Sequence, residues 1–198
     1  VSTIIESGGF GVGDEIYLAY CPERVLPGKI MEEIVENDRI VGGINDKSTR
    51  MAEKVYQTFV EGDLYRADAT TAEFVKLIEN TYRDVNIALA NQLADIAEEI
   101  DINVWEAIGL ANKHPRLNIH KPGAGVGGHC LPIDPWFLIQ GASLENNIIE
   151  LSRKINDNRP RQIVKKIQSM VEEITDPKVT LLGLSYKGNV EDTRESPA

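Results

Sequence analysis

Apolar residues recur at spacings of three, four and seven along residues 71–99, at Phe74, Ile78, Val85, Leu89, Leu93 and Ile96, and on to Ile100. This spacing predicts one long amphipathic helix. Upstream the pattern is shorter and β-rich. Residues 16–21 and 39–43 predict strands, 47–60 a helix with Asn45, Asp46 or Ser48 as N-cap, and 64–66 a third strand. Strands alternating with a helix predict the tail of a parallel α/β sheet. Between the first two strands, residues 22–28 form a Pro- and Gly-bearing loop that carries Glu23 and Arg24.

Downstream, residues 104–111 predict a second helix, 114–135 a Gly/Pro-rich loop, and 144–174 further helix that Pro160 is expected to kink or split. Residues 179–184 read as a buried strand leading into Ser185-Tyr186-Lys187. Both ends read as cut. The chain opens on Val1, and it stops at Ser196-Pro197-Ala198, where an N-cap serine and a first-turn proline announce a helix.

Composition narrows the function classes. The 198 residues carry a formal net charge of -10, which repels a polyphosphate backbone and argues against a nucleic-acid partner. The longest apolar runs are too short for a membrane span. Two cysteines, Cys21 and Cys130, are too few for a disulfide framework. With no signal-peptide pattern, these features lead to the expectation of a cytoplasmic protein.

Three constellations carry candidate chemistry. On the long helix, Lys76, Asn80 and Arg83 stand at i, i+4 and i+7 and share a face. Such a stripe is often merely solvated. An ammonium, an amide and a guanidinium on one face would also suit an anion or developing negative charge.

The second constellation is the loop Lys121-Pro122-Gly123-Ala124-Gly125-Val126-Gly127-Gly128-His129-Cys130-Leu131-Pro132-Ile133-Asp134. Its glycines let backbone approach a ligand and deliver a thiol directly afterwards. Gly123, Gly125 and Gly128 match the spacing of a dinucleotide fingerprint, but a basic, Pro-bearing loop precedes them, and Pro132 and Pro135 obstruct a helix after them. A lone cysteine is more often a small buried hydrophobe than a nucleophile. His129 adjoins Cys130, and consecutive side chains diverge, so a Cys-His hydrolase dyad is not supported. His114, His120 and His129 with the two cysteines show no zinc spacing, so no metal is expected. The third constellation is Tyr186-Lys187 with Asp192 and Arg194, placed where a strand end meets a helix start and a phosphate could bind.

Three motifs in order resemble the UDP-glucose/GDP-mannose dehydrogenase family: Cys21-Pro22-Glu23-Arg24-Val25-Leu26-Pro27-Gly28, the Gly125-Val126-Gly127-Gly128-His129-Cys130 loop with Asp134, and Gly183-Leu184-Ser185-Tyr186-Lys187 running on to Asp192-Thr193-Arg194-Glu195-Ser196-Pro197. Within it, the Arg-Val-Leu-Pro-Gly ending and the His before the Cys most resemble members acting on UDP-N-acetyl-D-mannosamine, with those acting on UDP-N-acetylglucosamine next and UDP-glucose further off.

The resemblance implies a mainly α fold with α/β pieces, a helical dimerisation core flanked by partial Rossmann-like sheets. Residues 1–68 would be the C-terminal remnant of an NAD-binding Rossmann domain, 69–175 the helical dimerisation domain with the cysteine loop, and 176–198 the opening strand and loop of a UDP-binding α/β domain. The cofactor implied is NAD, with its Gly-rich fingerprint lying before Val1. The partners implied are a UDP-sugar and a second copy of the chain.

The resemblance also assigns roles. Cys130 is the nucleophile of a four-electron oxidation, Lys76 and Asn80 steady an oxyanion, and Asp134 or Glu23 assists proton transfer through water. Arg24, Val25, Arg83, His114, Arg116, Gly127, Tyr186 and Lys187 hold the nucleotide sugar, and Arg194 approaches the cofactor's phosphates. A non-catalytic helical dimerisation core is the alternative for the isolated chain.

Overall fold

The computed structural model describes residues 1–26, 28–141 and 144–198. Pro27 of the first motif lies outside the described residues. The chain divides into two compact units, residues 1–78 and 79–198.

In the first unit, a short helix α1 (Ser2–Ser7) precedes β1 (Ala19–Tyr20), α2 (Ile30–Glu36), β2 (Arg39–Gly43), α3 (Asp46–Tyr56) and β3 (Leu64–Asp68). β2 is the central strand, parallel to β3 with Arg39 opposite Leu64 and Gly43 opposite Asp68. Its Val41 is fully buried. α3 is the crossover that a parallel pair requires. Of the three candidate caps, Asn45 takes the position, its side chain accepting from the Ser48 N–H at 2.8 Å. Thr49 then folds back, and its hydroxyl accepts from the Gly43 N–H at 3.0 Å. Gly42 is required by close packing, since a Cβ there would meet the Ala72 Cβ at 2.5 Å and the Asp68 carbonyl at 2.6 Å.

Several sequence expectations need correction here. β1 is only two residues long and runs antiparallel to β2, so the sheet is mixed. α2 was not predicted. α3 stops at Tyr56, four residues early, while β3 runs on two residues to Asp68.

α4 (Ala69–Glu99) begins in the first unit and continues into the second, followed by α5 (Val104–Ala111), α6 (Asp134–Gly141) and α7 (Ile148–Val171). The core of the second unit reverses the ordinary amphipathic rule. Asp84 and Asn91 of α4 are fully buried, while Leu89, Ile96 and Ile100 are 47, 54 and 60% exposed. The buried polar stripe meets a matching one on α7, Ser152, Arg153, Asn156 and Arg159. Arg153 is bonded to Asp84 and Asp157, Arg159 to Asp95. The Asn156 amide donates to both the Asp84 carbonyl and its carboxylate, at 2.9 and 2.8 Å. Burial pushes the Asp84 pKa up, and the Arg153 guanidinium offsets only part of that rise.

Pro160 does not split α7, which is helical on both sides of it. A proline frees only the carbonyl four residues back, and the buried flanking residues Asn156 and Arg159 hold the helix across that gap. α6, absent from the sequence reading, starts at Asp134 and accommodates Pro135 in its first turn, where no N–H partner is needed. Residues 179–184 form no strand, and Val179, Leu182 and Leu184 are well exposed. An apolar strand is buried only when neighbouring strands flank it, and none pairs with this segment among the described residues. The helix announced by Ser196 and Pro197 is likewise not formed among residues 195–198.

Candidate active site

In the first unit the loop after β1 presents Glu23, Arg24 and Val25. The Glu23 carboxylate folds back on its own loop, accepting the Arg24 and Val25 N–H groups at 2.8 and 3.0 Å. Its other oxygen takes the buried Arg39 guanidinium at 3.1 Å. Burial pushes the Glu23 pKa up, but the Arg24 N–H and the Arg39 guanidinium outweigh it, so the group ends below its ordinary value. The Lys76 ammonium donates to the Glu23 carbonyl at 2.9 Å. Lys76 and Glu23, far apart in sequence, are therefore direct partners.

Arg39 was not singled out from the sequence. It is 3% exposed and lies 5.5 Å from the Tyr56 ring centre, a cation-π contact. The signal was its position at the head of a strand with a carboxylate-bearing loop before it.

In the second unit, the Asn80 amide donates to the Asp134 carboxylate at 2.5 Å. Asp134 opens α6, whose first turn is capped by the Cys130 carbonyl, accepting from Ile133 and Asp134 N–H at 3.0 and 2.8 Å. Cys130 thus sits at the hinge between the glycine loop and α6. Neither cysteine is in a disulfide.

Gly127 and Gly128 are backed by the segment from Tyr186 to Pro197. A Cβ on Gly127 would lie 2.5 Å from the Tyr186 Cβ and 2.8 Å from the Glu195 carbonyl. Gly128 has φ +92° against the Tyr186 ring, and its N–H donates to the Arg194 carbonyl at 3.0 Å. Here glycine is needed for both space and backbone conformation.

Arg194 makes a bidentate pair with Asp192 at 2.9 and 2.7 Å and reaches the His129 ring at 3.2 Å. The Arg194 hydrogen bonds hold the Asp192 carboxyl at about 2, well below the usual range. His114 and Arg116 occupy the exposed loop after α5, the Arg116 N–H donating to the His114 ring at 3.3 Å. Arg83 and Lys187 are exposed. The buried α4–α7 polar stripe was missed in the sequence reading, although Thr81, Asp84, Ala88, Asn91 and Asp95 alternate at spacings of three and four as plainly as the apolar residues do.

Residues 1–60 match the NAD binding domain, and residues 70–158 the central domain, of the UDP-glucose/GDP-mannose dehydrogenase family. The chain belongs to that family.

It is 60% identical over 184 residues to the UDP-N-acetyl-D-mannosamine dehydrogenase of Methanocaldococcus jannaschii, covering 93% of this chain and 43% of that one. It is 47% identical over 188 residues to the NDP-N-acetyl-D-galactosaminuronic acid dehydrogenase of Ralstonia nicotianae, covering 95% and 44%. The solved UDP-D-ManNAc dehydrogenase from Pyrococcus horikoshii superimposes with a TM-score of 0.92 at 47% identity, over 99% of this chain and 48% of that one. The chain therefore spans less than half the length of the relatives it matches.

NAD is the cofactor that the matched N-terminal domain implies. The residues present fit it in one respect. The parallel β2–β3 pair is the sheet type on which dinucleotides bind, with its C-terminal edge at Gly43 and Asp68 opening onto a shallow pocket.

Proposed function

We propose that this chain carries the active-site portion of an NAD-dependent UDP-sugar 6-dehydrogenase, with Cys130 as nucleophile and UDP-N-acetyl-D-mannosamine as substrate. The observation that carries this reading is the Cys130–Asp134 turn, where the Cys130 backbone carbonyl accepts the Asp134 N–H and the Asp134 carboxylate accepts the Asn80 amide. The identities to dehydrogenases of UDP- and NDP-linked acetamido sugars support the substrate class.

Two NAD molecules, bound in turn, would each take one of the two hydrides that leave C6. The chain's own residues do the rest. After the first oxidation the Cys130 thiolate adds to the C6 aldehyde, placing an oxyanion on a carbon that again carries hydrogen, and the oxyanion takes a proton. Lys76 and Asn80, four residues apart on α4, steady that oxyanion, with Lys76 also moving the proton. Loss of the second hydride, with the hydroxyl proton passing back to Lys76, leaves a thioester at Cys130. A water deprotonated by Asp134 or Glu23 adds to it, the thiolate leaves, and the uronate forms.

Arg24, Val25, Arg83, His114, Arg116, Gly127, Tyr186 and Lys187 hold the nucleotide sugar, and Arg194 meets the cofactor's phosphates. Residues 1–68, 69–175 and 176–198 form parts of the NAD-binding, central and UDP-binding domains.

We further assign the exposed apolar face of α4 to a homodimer. Beside it a groove of about 300 Å³ is lined by Leu93, Ile96, Ile100 and Ile108, leaving apolar surface that a second copy would cover. The test of the substrate is NADH formation by the full-length protein with UDP-N-acetyl-D-mannosamine, UDP-N-acetylglucosamine and UDP-glucose. Turnover of the first alone is expected, and turnover of UDP-glucose in preference would overturn the assignment.

A further inference from the structure

We infer that Arg159 and Asn91 are positioning residues for Cys130, gripping the root of its loop through the backbone of Gly123. The inference rests on the reading of Cys130 as the nucleophile. Gly123 lies in no regular element, so its N–H and C=O have no partner in a helix or a strand ladder. Their partners are buried side chains. The Asn91 side-chain oxygen accepts the Gly123 N–H at 2.9 Å, and the Arg159 Nε donates to the Gly123 carbonyl at 3.0 Å.

Each of these side chains is itself tied at its other end. The Asn91 amide donates to Asn156 at 3.3 Å, and Arg159 is bonded to Asp95. Asn91 is fully buried and Arg159 is 4% exposed, so neither has freedom to drift.

α4 and α7 thus each extend one fixed arm to the same residue, one to the peptide before it and one to the peptide after it, seven residues before the thiol. Two residues on, Gly125 rests against Pro160 of α7, where a Cβ would stand 3.2 Å from the proline ring. Helix packing alone does not call for this arrangement, because a buried ionic seam is often no more stabilising than an apolar one of the same shape. What the polar seam adds is a fixed geometry for the loop. A nucleophile displaced by about 1 Å loses up to about a hundredfold in rate, so the seam acts on kcat.

The experiment uses the full-length protein and compares Arg159→Lys with Asp95→Asn. Lysine keeps the cation for Asp95 but lacks the second donor that reaches Gly123. Asparagine removes the ion pair and leaves the Gly123 bond in place. Arg159→Lys is expected to lower kcat for UDP-N-acetyl-D-mannosamine about tenfold or more with KM within about twofold, while Asp95→Asn stays within about twofold in both at a similar melting temperature.

Asn91→Ser, too short to reach Gly123, is the second variant and is expected to repeat the kcat loss. Cys130→Ala runs alongside. Wild-type kcat in Arg159→Lys with an inactive Cys130→Ala overturns this inference alone, as does a kcat loss in all three seam variants that simply follows their melting temperatures. A fully active Cys130→Ala overturns it together with the thiol reading.

Discussion

Cys21 lies against Tyr56 and the Gly42 backbone, and burial pushes its thiol pKa up by more than the Tyr56 contact lowers it. A raised thiol pKa means less thiolate at neutral pH and slower alkylation. Cys130 instead shares an electrostatic contact with the Arg194 guanidinium. Iodoacetamide at neutral pH is therefore expected to label Cys130 well before Cys21 in the full-length protein, read by peptide mass spectrometry. Equal labelling would contradict the assignment of roles.

The Asp192 carboxyl, held at about 2 by Arg194, makes a second prediction at this scale. Its folded value lies below the unfolded value of about 3.9, so the contact stabilises the fold above that pH and is lost as pH falls towards 2. A carboxyl NMR titration should place its midpoint near 2. The Gly128 amide, which donates to the Arg194 carbonyl, should exchange faster in Asp192→Asn. A midpoint at the unfolded value would show that the pair does not form.

Between elements, the strongest demand falls on the α4–α7 seam. Arg153 is 1% exposed against a fully buried Asp84. Replacing it with Met leaves that carboxylate uncompensated, and a loss of about 3–5 kcal/mol is expected in equilibrium denaturation. A loss below about 1 kcal/mol would mean that the seam is wetter than its burial suggests.

The elements legible in the sequence were those with local signals. α5 and β2 were predicted to the residue, and α4 within two, because apolar periodicity and capping asparagines act over a few positions. The direction of β1, the survival of α7 across Pro160 and the exposure of residues 179–184 depend on neighbours that no local pattern names. Periodicity also marked the two faces of α4 without saying which is buried. The polar face is inside because α7 offers it complementary charges. The candidate site follows the same rule. The Cys130 loop stood out by its own residues, whereas the Asn80–Asp134 and Lys76–Glu23 bonds join residues more than fifty positions apart.

At the scale of the whole molecule, a chain spanning less than half of its relatives carries both the thiol loop and the exposed apolar face of α4. Ile96→Asp with Ile100→Asp in the full-length protein is expected to convert a dimer or higher oligomer to monomer by light scattering. An unchanged mass would move the interface elsewhere.

The most direct test of the central claim is uronate formation from UDP-N-acetyl-D-mannosamine by full-length protein and its Cys130→Ala variant. The wild type should form the uronate with two equivalents of NADH per sugar. The variant should form none, and uronate formation by it at the wild-type rate would contradict the account.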